Sequence, residues 1–215
     1  MSKKLLGYSL FFVVLVLVFW FFVFKGTGIL GQSSLVERSA VQPFSFKTQD
    51  DIPFTNADMR GKVCVVEYFF TTCKGICPRL NNNMRTIYNE FRDEPDLLIL
   101  SHSCDPETDS VPRMKHYADS MKVDTRRWVF LTGRKDSLYK MARFSYGVDD
   151  PKNIVADPKD DFIHTQFFAL VDKNGKVRGP VYDGLKEKEL TRMKKDIKGL
   201  LKERTMKGNF ANGVF

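Results

Sequence analysis

The chain is poor in cysteine and poorer still in histidine, with four Cys and three His in 215 residues. Four cysteines are too few to staple a small disulfide scaffold, so stability must come from an apolar core. A hydrophobic share of 43%, including 19 Phe, is ample for one. There is no long block of like charge, and no alternation of basic and aromatic side chains of the kind that stacks single-stranded bases. Nucleic acid is therefore not an expected partner. The formal charge of +8 is densest over Lys186–Lys207, with nine basic and four acidic side chains, a pattern that reads as a solvated helix face. No internal repeat is visible. An Arg- and Ser-rich transit sequence is also missing, which favours a bacterial over a mitochondrial setting.

The sequence does contain one long apolar run. Leu5–Phe24 holds twenty residues without a charge, enough at about 1.5 Å per residue to cross the roughly 30 Å hydrocarbon core of a bilayer. A cleaved signal would have a shorter apolar region and a small-x-small cleavage site. The next residues, Lys25-Gly-Thr-Gly-Ile-Leu-Gly-Gln, offer a poor site and no cysteine for lipid attachment. An uncleaved anchor is expected. Lys3 and Lys4 precede the span and Lys25 lies after it, so the N-terminus should stay cytoplasmic. The expectation is a single-pass protein of the bacterial inner membrane with its folded domain in the periplasm. Residues 1–24 form the N-terminus and anchor, 25–42 a tether, 43–207 the domain and 208–215 a flexible tail.

Within the domain, strands and helices alternate. Phe44–Thr48 and Ile52–Asp58 read as a hairpin. Val63–Phe70 is almost unbroken in its apolar character, as a central strand covered on both faces should be. A helix is expected from about Ile76 to Arg92, ending before Pro95. Leu97–Ser103 is the next strand, Ser110–Met121 a helix with Pro112 in its first turn, Trp128–Thr132 a strand, and Asp136–Tyr146 a helix closed by Gly147. Thr165–Val171 and Lys176–Gly179 flank Asp172-Lys-Asn-Gly-Lys, a strong hairpin signal. Leu185, Leu190, Met193, Ile197, Leu200 and Leu201 make the last helix amphipathic. This order is that of an α/β, thioredoxin-like fold, a central sheet flanked by helices and preceded here by one transmembrane helix.

Chemistry concentrates where Val63–Phe70 meets the following helix, in Thr71-Thr-Cys-Lys-Gly-Ile-Cys-Pro. Cys73 and Cys77, four apart at a helix start, are expected on one face, where backbone N–H groups and the helix dipole should favour both thiolates. Lys74 should add to that effect. Thiolates serve both redox exchange and soft-metal binding. His164, just ahead of the strand Thr165–Val171, should run past the same helix start in a thioredoxin-like sheet. Two cysteines and a histidine make a three-coordinate site that suits copper better than a four-ligand structural zinc. Cys64 reads as core filler, His102 as a structural residue within a strand and His116 as a surface residue. A thiol–disulfide oxidoreductase without metal remains the competing reading. Its cysteines more often have two rather than three residues between them, and it has no need of His164.

Tyr68-Phe-Phe-Thr-Thr-Cys-Lys-Gly-Ile-Cys-Pro, Cys104-Asp-Pro-Glu-Thr-Asp, Trp128-Val-Phe-Leu-Thr-Gly and Ile163-His-Thr occur in that order over about residues 43–205. Together with the anchor they resemble the Sco/SenC family of copper-binding proteins. The resemblance implies a membrane-tethered thioredoxin-like domain that delivers copper to the binuclear centre of cytochrome c oxidase, or keeps that centre's cysteines reduced. The partners would be the copper-accepting oxidase subunit or its assembly factors. It implies Cys73, Cys77 and His164 as copper ligands and Asp105 as an acidic residue next to them. The chain departs from the family pattern at Lys74-Gly75, where Pro is common, at Thr165, where Ser is common, and at Cys104, where a small aliphatic residue is usual. Cys104 ends a strand expected beside Val63–Phe70, so it is a candidate extra ligand or resolving thiol.

Overall fold

A computed structural model describes residues 3–26, 33–154, 161–163 and 165–205. Helix α1 (Lys3–Gly26) is followed by β1 (Glu37–Ala40), β2 (Ser45–Thr48), β3 (Pro53–Thr55), β4 (Val63–Phe69) and α2 (Cys77–Glu90). Then come β5 (Leu97–Ser103), α3 (Val111–Met121), β6 (Trp128–Thr132) and α4 (Lys135–Lys140), which runs on as a π-helical turn, Met141–Tyr146. The chain closes with β7 (Phe167–Val171), β8 (Lys176–Asp183) and α5 (Glu187–Lys202). The strands form one sheet in the order β1-β8-β7-β4-β5-β6-β2-β3. The pairs β4/β5 and β5/β6 are parallel and the others antiparallel.

β4 lies near the centre because every residue in it is buried. Alternation divides it between two cores. Val63, Val65 and Phe69 face Leu80, Met84 and Ile87 of α2, Met114 of α3 and Met193 and Ile197 of α5. Cys64, Val66 and Tyr68 face Phe46, Leu138, Tyr139 and Tyr146 on the other side. Cys64 is fully buried and burial holds its thiol far above the ordinary range, as suits core filler. His102 is also fully buried among the rings of Phe46, Tyr68 and Tyr146, and burial drives its pKa down to about 3. It is a neutral structural residue.

Several boundaries differ from the sequence expectation, with β3 (Pro53–Thr55) and β7 (Phe167–Val171) shorter than the expected Ile52–Asp58 and Thr165–Val171. The stretch 25–42 is not simply a tether, since β1 pairs with β8 from Glu37↔Arg178 to Ala40↔Lys176. Arg178 also donates to the Leu35 carbonyl at 3.1 and 3.0 Å. Strand β8 continues past Gly179-Pro180 to Asp183, with an irregular register opposite Phe168–Leu170 and Gly179 at φ +68. A glycine with positive φ followed by a residue without an N–H breaks the ladder locally and lets it resume. The hairpin turn forms as expected, with Asp172 Oδ1 accepting from the N–H groups of Asn174 and Lys176. Helix α1 is long and apolar enough to cross a membrane, with a mean hydropathy of 2.2 over Lys4–Phe21 and no side chain of that stretch buried. Residues 208–215, expected as a tail, lie outside the described residues.

Candidate metal and thiol site

The site forms where parallel strands β4 and β5 end, because both loops leave the sheet there. The loop after β4 is fixed by Asp109, a fully buried carboxylate from the loop after β5. It accepts from Thr71 N–H at 3.2 and 3.3 Å, from Thr71 Oγ1 at 2.5 Å and from Ser103 Oγ at 2.6 Å. Arg113 Nε donates to Thr71 Oγ1 at 2.8 Å. A buried carboxylate needs such donors, and satisfying it locks both loops together. Asp105, the acidic residue expected beside the ligands, shapes its own turn. Its N–H donates to Ser103 Oγ and its Oδ1 receives the Thr108 N–H. Asp109, four residues on in the same motif, is the residue that sequence reasoning missed.

Helix α2 begins at Cys77, with Pro78 in its first turn where no N–H is needed. Cys73 lies ahead of the helix, so the two cysteines do not share a helix face. The loop curls back toward the start of α2, where the Cys77 thiol and the backbone N–H groups of Cys77, Gly75 and Ile76 act as donors that favour the Cys73 thiolate. Burial alone would raise the Cys73 pKa, but these donors outweigh it and hold the thiol below its ordinary value. Cys77 behaves oppositely. Burial first, then its hydrogen bond to Cys73, pushes it up to about 12. The expectation that both thiols ionise readily therefore holds for Cys73 alone. Iodoacetamide at neutral pH should alkylate Cys73 at least about tenfold faster than Cys77, read by peptide mass spectrometry, because the thiolate is the nucleophile. Equal rates would refute the asymmetry.

Both sulfurs open into a cavity of about 370 Å³ whose walls include Phe70, Ile76, Cys104, Ile163 and Thr165. Cys104 is almost fully buried, and its N–H donates to the Phe69 carbonyl at 2.7 Å. Burial, then the nearby Cys77, holds its thiol well above the ordinary value. Tyr139 Oη donates to the Cys104 carbonyl at 2.7 Å and receives the Ile163 N–H at 3.4 Å. Ile163 and Thr165 thus bring the chain on either side of residue 164 to the thiol cavity, and Thr165 Oγ1 donates to Val148 O at 2.6 Å. His164 itself lies outside the described residues. Among the described residues no group of three or more His, Cys, Asp or Glu is drawn together tightly enough to hold a metal ion. The three cysteines therefore share a cavity without forming a ready-made sulfur site. His116, in α3, is exposed and apart from it.

A sheet with a cysteine pair at the junction of its central strand and the next helix defines a thioredoxin-like α/β protein. The family model described as SCO1/SenC matches residues 33–202, and the chain belongs to that family. The SCO1 protein homolog of Bacillus subtilis (strain 168) is 32% identical over 140 residues, covering 64% of this chain and 70% of that protein. BsSco, described as having a disulfide switch and as a member of the Sco family of cytochrome c oxidase assembly proteins, is 28% identical. Its structure superposes with a TM-score of 0.63 over 79% of this chain and 96% of that one. ScoI of Bradyrhizobium japonicum, solved with copper bound, shares the fold at 20% identity, with a TM-score of 0.57 over 76% of this chain and 100% of that one.

Proposed function

We propose that this protein is a membrane-anchored copper carrier that holds its cargo through Cys73, Cys77 and His164 and supports assembly of the copper centre of cytochrome c oxidase. The observation that carries this reading is that Cys73 and Cys77 line one cavity together with both neighbours of residue 164. The donors fit the cargo: soft thiolates with an imidazole suit copper. Cys73, held below its ordinary value, gives up its proton more readily than Cys77, and both must lose it as copper binds. The proteins it resembles support the same reading, one by its bound copper and another by its description as an oxidase assembly protein. Helix α1 would anchor the chain in the bacterial inner membrane, with Lys3 and Lys4 on the cytoplasmic side and the domain outside. The acceptor would be the copper-binding oxidase subunit or one of its assembly factors.

The test is a copper titration of the reduced chain in detergent, with free thiols counted at each step. One copper per chain should protect two thiols. Cys73→Ala, Cys77→Ala and His164→Ala should each weaken binding by more than about tenfold, with circular dichroism unchanged. Wild-type affinity in all three variants would defeat the assignment.

The unequal thiols favour a second reading, thiol–disulfide exchange. Cys73 thiolate would attack a partner's disulfide to form a mixed disulfide. Cys77 would then lose its proton and displace the partner, which leaves with two thiols while Cys73–Cys77 closes as a disulfide. Weak copper binding that ignores His164, together with rapid exchange with a partner disulfide, would shift the assignment to this activity.

A further inference from the structure

Helix α5 carries a row of lysines that neither the core nor the thiol site uses. Lys188, Lys195 and Lys202 are seven residues apart and all exposed. Seven residues turn a helix by about 700°, only about 20° short of two full turns, so the three form a nearly straight line along its length. The line runs opposite the buried stripe Leu190, Met193, Ile197 and Leu200. The acidic residues Glu187, Glu189 and Asp196 are each one place from a row lysine and so sit about 100° round the helix. Other cations of α5 are neutralised locally, Lys194 and Lys198 by Glu90 and Arg192 by Asp196. None of the three row lysines belongs to an ion pair among the described residues.

The membrane-side end of the domain lies against this same helix. Ser33 N–H donates to Glu203 Oε1 at 2.7 Å, just beyond the C-terminus of α5. A Cβ built on Gly199 would come 3.5 Å from Ser33 Cβ, so the two backbones are nearly in contact. Arg178 fixes the junction by pairing with Glu203 while donating to the Leu35 carbonyl. Only residues 27–32 separate Ser33 from the end of α1 at Gly26. A chain of that length spans at most about 25 Å. Lys202 is thereby kept close to whatever surface α1 is embedded in.

We infer that the Lys188–Lys195–Lys202 row docks on anionic lipid headgroups at the surface of the membrane that holds α1. The inference rests on the anchored reading above. With α5 lying along the bilayer, the sheet it covers would lie roughly parallel to the membrane. The thiol cavity, at one end of that sheet, would then open sideways, toward partners standing in the same membrane. Each lysine brought to an anionic surface adds roughly fivefold to its attraction at low salt, and screening removes the effect at high salt.

The test uses the full chain reconstituted in vesicles of pure phosphatidylcholine or of phosphatidylcholine with phosphatidylglycerol. A water-soluble acetylating ester reads each lysine by mass spectrometry. At low salt the row lysines should react at least about fivefold more slowly in the anionic vesicles, Lys47 and Lys140 should react equally in both, and 0.5 M salt should erase the difference. Changing Lys188, Lys195 and Lys202 together to Gln should also remove any lipid-dependent protection of Lys198. Equal labelling of the row in both vesicles, with the chain stably inserted, overturns docking and leaves the anchor intact. Extraction of the chain by alkaline carbonate would instead refute the anchor. Docking then survives only if anionic vesicles still protect the row, and falls if they do not.

Discussion

Replacing Arg143 with methionine should destabilise the protein by about 3 kcal/mol or more, because it leaves two carboxylates facing a buried site without their cation. The guanidinium donates to Asp149 Oδ2 at 2.7 Å and to both oxygens of Asp161 at 2.7 Å. All three side chains are largely buried, with 5% of Arg143, 5% of Asp149 and 12% of Asp161 exposed. The hydrogen bond from Arg143 holds the Asp161 carboxyl below the usual range. Asp161 opens the segment that continues through Ile163 toward residue 164, and Arg143 also sits over the ring of Tyr139, 5.5 Å from its centroid. Tyr139 in turn holds the Cys104 carbonyl and the Ile163 N–H. One cation therefore braces the wall of the thiol cavity from behind. Denaturant unfolding should show the loss, and hydrogen exchange at the Ile163 amide should accelerate with it. Adding Asp149→Asn and Asp161→Asn to the methionine variant should recover much of the stability, since the uncompensated charges go with them. A loss under about 1 kcal/mol would mean that water already shares these carboxylates.

The elements that sequence pattern revealed best are the strands buried along their whole length. Leu97–Ser103 and Trp128–Thr132 match their strands to the residue, because an apolar run between turn signals has few other uses in a chain of this kind. Strand β1 was hidden. Its four residues Glu-Arg-Ser-Ala have no apolar pattern, and they become a strand only because β8 offers backbone partners. At the site, residue types and spacing were enough to single out Cys73 and Cys77 and to bring Cys104 beside them. Their inequality was not legible, since it depends on how far the loop curls and which sulfur the core covers. Asp109 was missed for a related reason. Its importance comes from Thr71 and Ser103, which belong to two other segments, whereas Asp105 stood nearer the cysteine in the motif.

Glu67 sets the second large effect, a stability that falls as pH rises toward neutrality. It lies in the middle of β4, 1% exposed, and its Oε1 accepts one hydrogen bond, from Ser101 Oγ at 2.5 Å. Ser101 Oγ is itself held by Trp128 Nε1 at 2.7 Å. One neutral donor does not replace the lost hydration of a carboxylate, so burial raises the pKa from 4.5 to about 7. A raised carboxyl pKa means that the folded state binds the proton more tightly than the unfolded chain. The associated stability is complete below about pH 4.5 and is lost as pH rises through about 7. At about 1.4 kcal/mol per pH unit, that gap is worth roughly 3 kcal/mol by pH 8. Glu67→Gln keeps an acceptor for Ser101 and removes the charge. Against wild type, its stability should therefore improve by up to about 3 kcal/mol between pH 4.5 and pH 8, measured as the change in urea-unfolding free energy at each end. Parallel pH dependences in the two proteins would refute the assignment. The site has a stake in the same proton: the ionised Glu67 is among the groups that oppose ionisation of Cys77. The glutamine variant should accordingly titrate Cys77 at lower pH, so the substitution that relieves the fold also makes the second thiol easier to ionise.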